Sequence, residues 1–94
     1  MKGYWIILAS DVTDSEAQQE YARQWAPLAE KYAAKIKVLD TLAEAHTSTR
    51  VLAVEFESLE QAKACYDDPA YVHAKVFALR AARRELMIIE GDFA

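Results

Sequence analysis

The stretch that decides the fold is TRVLAVEFESLEQ, residues 49–61. Over residues 49–57, Leu52, Val54 and Phe56 occupy alternate positions, which is the period of a β-strand. Ser58 then begins S-L-E-Q, a spacing typical of the capping box that starts a helix. A strand that presents large apolar residues on one face and leads directly into a helix predicts a sheet covered by helices.

The sequence on either side supplies the other elements. Strands are predicted over residues 4–9, 36–42 and 85–90, with a loop at 43–48. Helices are predicted from Thr13 to about residue 34, over residues 58–66, and from Pro69, capped by Asp68, to about residue 83. The order β-α-β-β-α-α-β contains the two split βαβ halves of a ferredoxin-like fold. We therefore expect one α+β domain, residues 1–94, with a four-stranded antiparallel sheet and its helices on one face.

Composition bears on what covers the other face of the sheet. Hydrophobic residues make up 53% of the 94 residues, whereas a chain this short buries only about 60–65% of its unfolded surface. A second copy of the chain would cover the bare face and bury the hydrophobic residues that one chain cannot bury. Twofold dimers are also the commonest homo-oligomers. We expect a homodimeric α+β barrel, with a tightly packed monomer as the alternative.

Charge and motifs exclude several functions. The net charge is −4 with no basic stripe, which excludes nucleic acid as the expected partner. Arg80, Arg83 and Arg84 lie where a helix is predicted to end, and there they stabilise its dipole. No apolar run is long enough to span a membrane, and the single cysteine, Cys65, fits a cytoplasmic protein. Glycine-rich loops and His or Cys pairs at metal-ligand spacing are absent from the sequence, so we predict no cofactor and no metal.

Four residues are predicted to bind a ligand: Trp5, Glu55, Tyr66 and His73. Glu55 is the best catalytic candidate, because it falls on the strand face opposite the large apolar residues. It lies either in water at the barrel rim or in the interior as an acid with a partner. Trp5 either stacks on the ligand or fills the dimer core. His73 is an acid or base if it faces a cavity and otherwise a surface residue of a helix.

Several motifs resemble a known family. They are Gly3-Tyr4-Trp5 with Val12-Thr13-Asp14, VEFESLEQA at 54–62, YDDPAY at 66–71 and IIEG at 88–91. In this order they resemble the family known as domain of unknown function 1330. That resemblance implies the dimeric α+β barrel superfamily, which includes small monooxygenases, haem-degrading enzymes and lactone isomerases. The family usually has glycines after the first helix, where this chain has Tyr32-Ala33-Ala34, and a longer connection before the third strand.

Three functional hypotheses follow. The first is a homodimer that holds a small organic molecule between the sheet and the helices. Its catalytic form is a cofactor-independent enzyme of the monooxygenase or isomerase type, with Glu55 as acid or base. The alternative is a non-catalytic interaction or stress-related module whose barrel is filled by side chains. A cavity of a few hundred Å³ with convergent polar groups favours the first. The third, haem binding through His73, needs an apolar slot beside that histidine.

Overall fold

The computed structural model describes residues 1–38 and 48–92 of the chain. The elements are β1 (Lys2–Ala9), α1 (Ser15–Lys31), β2 (Lys35–Val38), β3 (Arg50–Phe56), α2 (Leu59–Asp67), α3 (Pro69–Ala81) and β4 (Arg84–Gly91). Their order is the predicted one, although the end of the predicted second strand and most of the following loop lie outside the described residues. Within the described part of the chain, no helix is long and apolar enough to cross a membrane.

The four strands form one antiparallel sheet in the order β2-β3-β1-β4. In the register, Trp5 of β1 lies between Val54 of β3 and Ile88 of β4. Its neighbour Tyr4 pairs with Glu55, and successive side chains of a strand point to opposite faces. Trp5 and Val54 therefore lie on the helix-covered face, and Tyr4 and Glu55 lie on the other, here called the open face. The ferredoxin-like α+β fold predicted from the sequence is confirmed.

Trp5 lies at the centre of the core between the sheet and the helices, so the prediction that it fills a dimer core is wrong, because its side chain is on the face opposite the open face. Its side chain is fully buried, and its indole Nε1 donates a hydrogen bond to the Ala62 carbonyl of α2 at 3.0 Å. Four aromatic rings surround it with centroids 4.9–5.8 Å away: Trp25, Phe56, Tyr66 and Tyr71. Because these rings come from α1, β3, α2 and α3, one residue ties all three helices to the same face of the sheet.

Local hydrogen bonds explain where the helices begin. The Ser58 hydroxyl accepts from the Gln61 amide at 3.1 Å, as the capping-box spacing predicts. Asp68 caps α3 by accepting from the Ala70 amide at 2.8 Å, which confirms the second predicted cap. The predicted cap at Thr13 is wrong. Asp14 caps α1 instead, because the Thr13 amide and hydroxyl both donate to the Ala81 carbonyl at the end of α3.

Helix α1 ends three residues before the predicted limit, in a chain reversal. Ala33 has a φ of 51°, in the left-handed region. Its amide donates to the Glu30 carbonyl, and the next amide, that of Ala34, donates to the Ala29 carbonyl. These two bonds form the Schellman motif that ends many helices, usually with glycine at the left-handed position. The reversal directs the chain into β2, which pairs with β3 at the edge of the sheet.

Candidate functional site

A cavity of about 250 Å³ lies between the helix-covered face of the sheet and helices α1 and α3. The sheet contributes Ile7, Leu52 and Val54, and α1 contributes Trp25 and Tyr21. Walls of this kind match a small organic ligand, because such pockets are mostly apolar and aromatic with a few polar groups.

The polar groups gather near one end of the sheet. Arg50 opens β3 and Arg84 opens β4, and both are half-buried and line the cavity. The Arg50 Nε donates to the Ser10 carbonyl at 2.9 Å, which fixes the guanidinium against the end of β1. The guanidinium carbon of Arg84 lies 5.3 Å from the centroid of the Tyr21 ring, a cation–π distance. The cavity thus combines apolar walls with two fixed cations.

A buried tyrosine, Tyr71, orients the hydroxyl of Tyr21. The Tyr21 hydroxyl shares a hydrogen bond of 3.1 Å with the Tyr71 hydroxyl, whose ring is fully buried against Trp5. Burial raises the pKa of Tyr71 far above its ordinary value. Tyr71 therefore stays a neutral phenol that holds Tyr21 in place and does not act as a base near neutral pH.

A second cavity of about 150 Å³ lies beside the first. Tyr66, Tyr71, Lys75 and Leu86 line it, and Arg84 lines both cavities. The Lys75 Nζ donates to the Tyr66 hydroxyl at 3.2 Å, so its charge already has a polar partner. Its smaller volume and the pairing of its lysine make this cavity the weaker candidate.

The structure does not bring the four predicted ligand-binding residues together. Trp5 lines the first cavity and Tyr66 the second, with the two rings edge to face at a centroid distance of 5.8 Å. His73 is exposed on α3, and its Nδ1 lies 2.8 Å from the side-chain oxygen of Gln24. Glu55 is on the open face, across the sheet from both cavities. Their roles in ligand binding and catalysis stay predictions.

Glu55 is buried within the single chain. It is 8% exposed, and the Lys37 Nζ donates to its Oε1 at 3.3 Å. Its cross-strand neighbour Tyr4 is 1% exposed. Of the two interpretations from the sequence, these facts agree with an interior acid that has a partner rather than with an acid in water at the rim.

Sequence reasoning missed the two arginines of the cavity. It assigned Arg84 to the end of a helix with Arg80 and Arg83, but α3 ends at Ala81 and Arg84 is the first residue of β4. The spacing along each strand could have identified them. Arg50 lies two positions before Leu52, and Arg84 two positions before Leu86, so each shares the face of the apolar residues that follow it.

Solved structures with the same fold support the architecture. A protein of unknown function from Rhodopseudomonas palustris is 17% identical, with 99% of this chain and 84% of that chain covered and a TM-score of 0.69. A dimeric protein of unknown function with a ferredoxin-like fold from Bacteroides fragilis is 19% identical, with 96% of each chain covered and a TM-score of 0.62. A mutant of SnoaB, a cofactor-independent oxygenase from Streptomyces nogalater, is 10% identical, with 99% and 95% covered and a TM-score of 0.72.

These likenesses concern the fold, since identities this low carry no function across. No curated protein matches the sequence. A family model does match it, over residues 2–92, nearly the whole chain. It is the model of the family that the motifs resemble, and the chain therefore belongs to the family described as domain of unknown function (DUF1330).

Proposed function

We propose that this protein is a homodimer in which each protomer holds a small organic molecule in the cavity between the sheet and helices α1 and α3. One observation carries the proposal. The cavity of about 250 Å³ has aromatic and aliphatic walls and two arginines among its lining residues. A module packed only for stability would have little reason to keep such a pocket, because an unfilled apolar pocket beside the core forgoes packing contacts. The cavity therefore favours ligand binding over the filled interaction module.

The open face supports the homodimer. Six apolar side chains of the register lie partly or well exposed on it, beside the charged Lys2, Lys35, Lys37 and Glu85: Ile6, Leu8, Val51, Ala53, Met87 and Ile89. Met87 is 53% exposed in the single chain, and large apolar surfaces of this kind mark interaction sites. Solved proteins with this fold from Bacteroides fragilis and Thermobifida fusca are described as dimeric. A second copy placed on this face closes the barrel and leaves the cavity on the helix side open to ligand.

A cofactor-independent reaction is the finer form of this proposal. The sequence points to Glu55 as acid or base, but Glu55 lies on the open face, across the sheet from the cavity, so its position gives no support to a reaction on a ligand held in the cavity. A Glu55→Gln protein that keeps full turnover would refute that role, whereas its ligand affinity should be unchanged in either case because Glu55 does not line the cavity. We place the protein in the cytoplasm because its one cysteine, Cys65, is a buried free thiol.

Native mass spectrometry of the protein purified gently from its own host tests the proposal. We expect a dimer that carries a reproducible extra mass, which also identifies the ligand. A clean, empty dimer counts against ligand binding and favours the interaction module. A monomer at working concentrations contradicts the homodimer.

A matched pair of variants links the extra mass to the cavity. Ala22 is exposed on α1 and lines the cavity, whereas Ala26 is exposed one turn further along and does not. Ala22→Phe should obstruct the cavity and remove the bound mass, and Ala26→Phe should retain it. Equal retention by both variants would place the ligand elsewhere.

A further inference from the structure

The strand register places two arginines on either side of one small residue. Ala9, near the end of central strand β1, pairs with Arg50 of β3 and with Arg84 of β4. Directly opposed Cα atoms of antiparallel strands lie about 4.5–5.5 Å apart, so the two arginine Cα atoms are separated by roughly 10 Å. Both side chains lie on the helix-covered face and line the cavity. The residue between them, Ala9, has only a methyl side chain and also lines the cavity.

Neither arginine has an acidic partner in the described part of the chain. The ion pairs there join Arg23 to Glu20, Lys31 to Asp68 and Lys37 to Glu55. Arg50 uses its Nε on the Ser10 carbonyl, and its two terminal amino groups make no hydrogen bond to the residues that the structure describes. Arg84 contacts the face of Tyr21, which leaves the edge of its guanidinium for hydrogen bonds. In a chain of net charge −4, two half-buried cations that have no carboxylate partner among residues 1–38 and 48–92 call for an explanation.

The rest of the cavity specifies the body of the ligand. Trp25, Leu52 and Ile36 supply apolar walls, and Tyr21 adds a ring beside Arg84. A volume of about 250 Å³ is slightly below the usual range for small-molecule sites, about 300–1,000 Å³, which favours a compact ligand of one or two rings. Guanidinium groups bind carboxylates through paired hydrogen bonds and are the preferred partners of planar anions.

We propose that the cavity takes a small aromatic carboxylate, with the carboxylate held between Arg50 and Arg84 and the ring against Trp25 and Leu52. This inference rests on the proposed function and names the ligand class of the same site. The two arginines act as binding residues that select an anion over a neutral molecule of the same shape.

Calorimetric titration with 2-naphthoate and 2-naphthamide tests the charge requirement, because the two probes share a ring system and differ in charge. We expect the carboxylate to bind the native protein at least tenfold more tightly than the amide. Arg50→Gln and Arg84→Gln should each weaken naphthoate binding by about tenfold or more, since a hydrogen bond to a charged group is lost. Both variants should leave naphthamide affinity within about twofold.

Arg80→Gln is the matched control, because it removes the same charge from an exposed arginine of α3 that does not line the cavity. It should bind naphthoate like the native protein. Arg84→Lys keeps the charge and should fall between the native protein and Arg84→Gln, which separates loss of binding from loss of folding. Circular dichroism of each variant checks the fold directly.

The outcomes distinguish this inference from the proposed function. Equal affinity for the two probes, or arginine variants that bind naphthoate normally, would overturn the carboxylate clamp and leave the cavity as a site for neutral molecules. Displacement of naphthoate by equimolar inorganic phosphate would show a general anion site and also overturn it. If neither probe binds, both the clamp and the ring-sized ligand site fail.

Discussion

Replacement of Ala33 by glycine should stabilise the protein, although glycine usually weakens a helical region. Ala33 has a φ of 51° at the left-handed position of the Schellman motif that ends α1. A residue with a Cβ in this conformation costs about 1–2 kcal/mol. Glycine removes that cost but gives the unfolded chain more freedom, worth about 0.5–1 kcal/mol. The net expectation for Ala33→Gly is a gain of about 0.5–1 kcal/mol in the free energy of unfolding.

Thermal unfolding followed by circular dichroism measures this gain. For a domain of this size, a gain of this order raises Tm by about 3–6 °C. All proteins are compared at one concentration, because dissociation of a dimer makes Tm depend on concentration. Ala64→Gly is the control, since Ala64 is exposed inside α2, and there the same change should lower stability by about 1 kcal/mol. If Ala33→Gly lowers Tm as Ala64→Gly does, the conformation assigned to residue 33 is wrong.

Three further predictions concern Gly3, Cys65 and Asp68. Gly3→Ala should lower the free energy of unfolding, measured by urea titration, by at least about 2 kcal/mol. The reason is that a Cβ at residue 3 would lie 2.6 Å from the Ser58 carbonyl carbon and 2.7 Å from the Leu59 Cα, both backbone atoms. Unchanged stability would contradict that close approach. Burial raises the pKa of the Cys65 thiol to about 12. A disulfide reagent at pH 7.4 should therefore modify Cys65 in the native protein at least about a hundredfold more slowly than in the urea-unfolded chain. Equal rates would show that the thiol is accessible. The hydrogen bonds from Lys31, Tyr32 and the Ala70 amide hold the pKa of Asp68 at about 2. The stability that they supply is therefore present above the ordinary pKa of the carboxyl and is lost as pH falls from about 4 through 2. The Tm of Asp68→Asn should decline less steeply than that of the native protein over this interval, and parallel curves would refute the assignment.

The sequence was sufficient for the architecture because its signals are local. Alternation over residues 49–57 places Leu52, Val54 and Phe56 on the helix-covered face, where the structure has them. The caps at Ser58 and Asp68 depend on side chains that bond within three residues, so spacing alone reveals them. The confirmed α+β fold follows from these elements and their order.

The misses came from contacts between distant parts of the chain. Thr13 fails as a cap because it bonds to the carbonyl of Ala81, 68 residues away. The cavity depends on the register that sets Arg50 and Arg84 beside Ala9, and no local pattern encodes which strands are neighbours. Of the four residues predicted to bind a ligand, only Trp5 lines this cavity, because the side chains that line it are brought together by strand register and helix packing.

The alternation of a β-strand lets one short segment serve both proposed roles without conflict. In β1, Ile7 faces the cavity, while Ile6 and Leu8 face the side offered to a second copy. In β3, Val54 faces the cavity and Ala53 the open side. A change on one face therefore reaches the other only through the backbone, which close packing resists. Dimer assembly and ligand affinity should accordingly respond to different substitutions. Replacement of Ala53 by a charged residue should separate the protomers and leave naphthoate affinity within a few-fold of the native value. Arg84→Gln should weaken naphthoate binding and leave the dimer intact. Joint loss of both properties in either variant would show that the cavity takes its shape from the second copy rather than from the single chain.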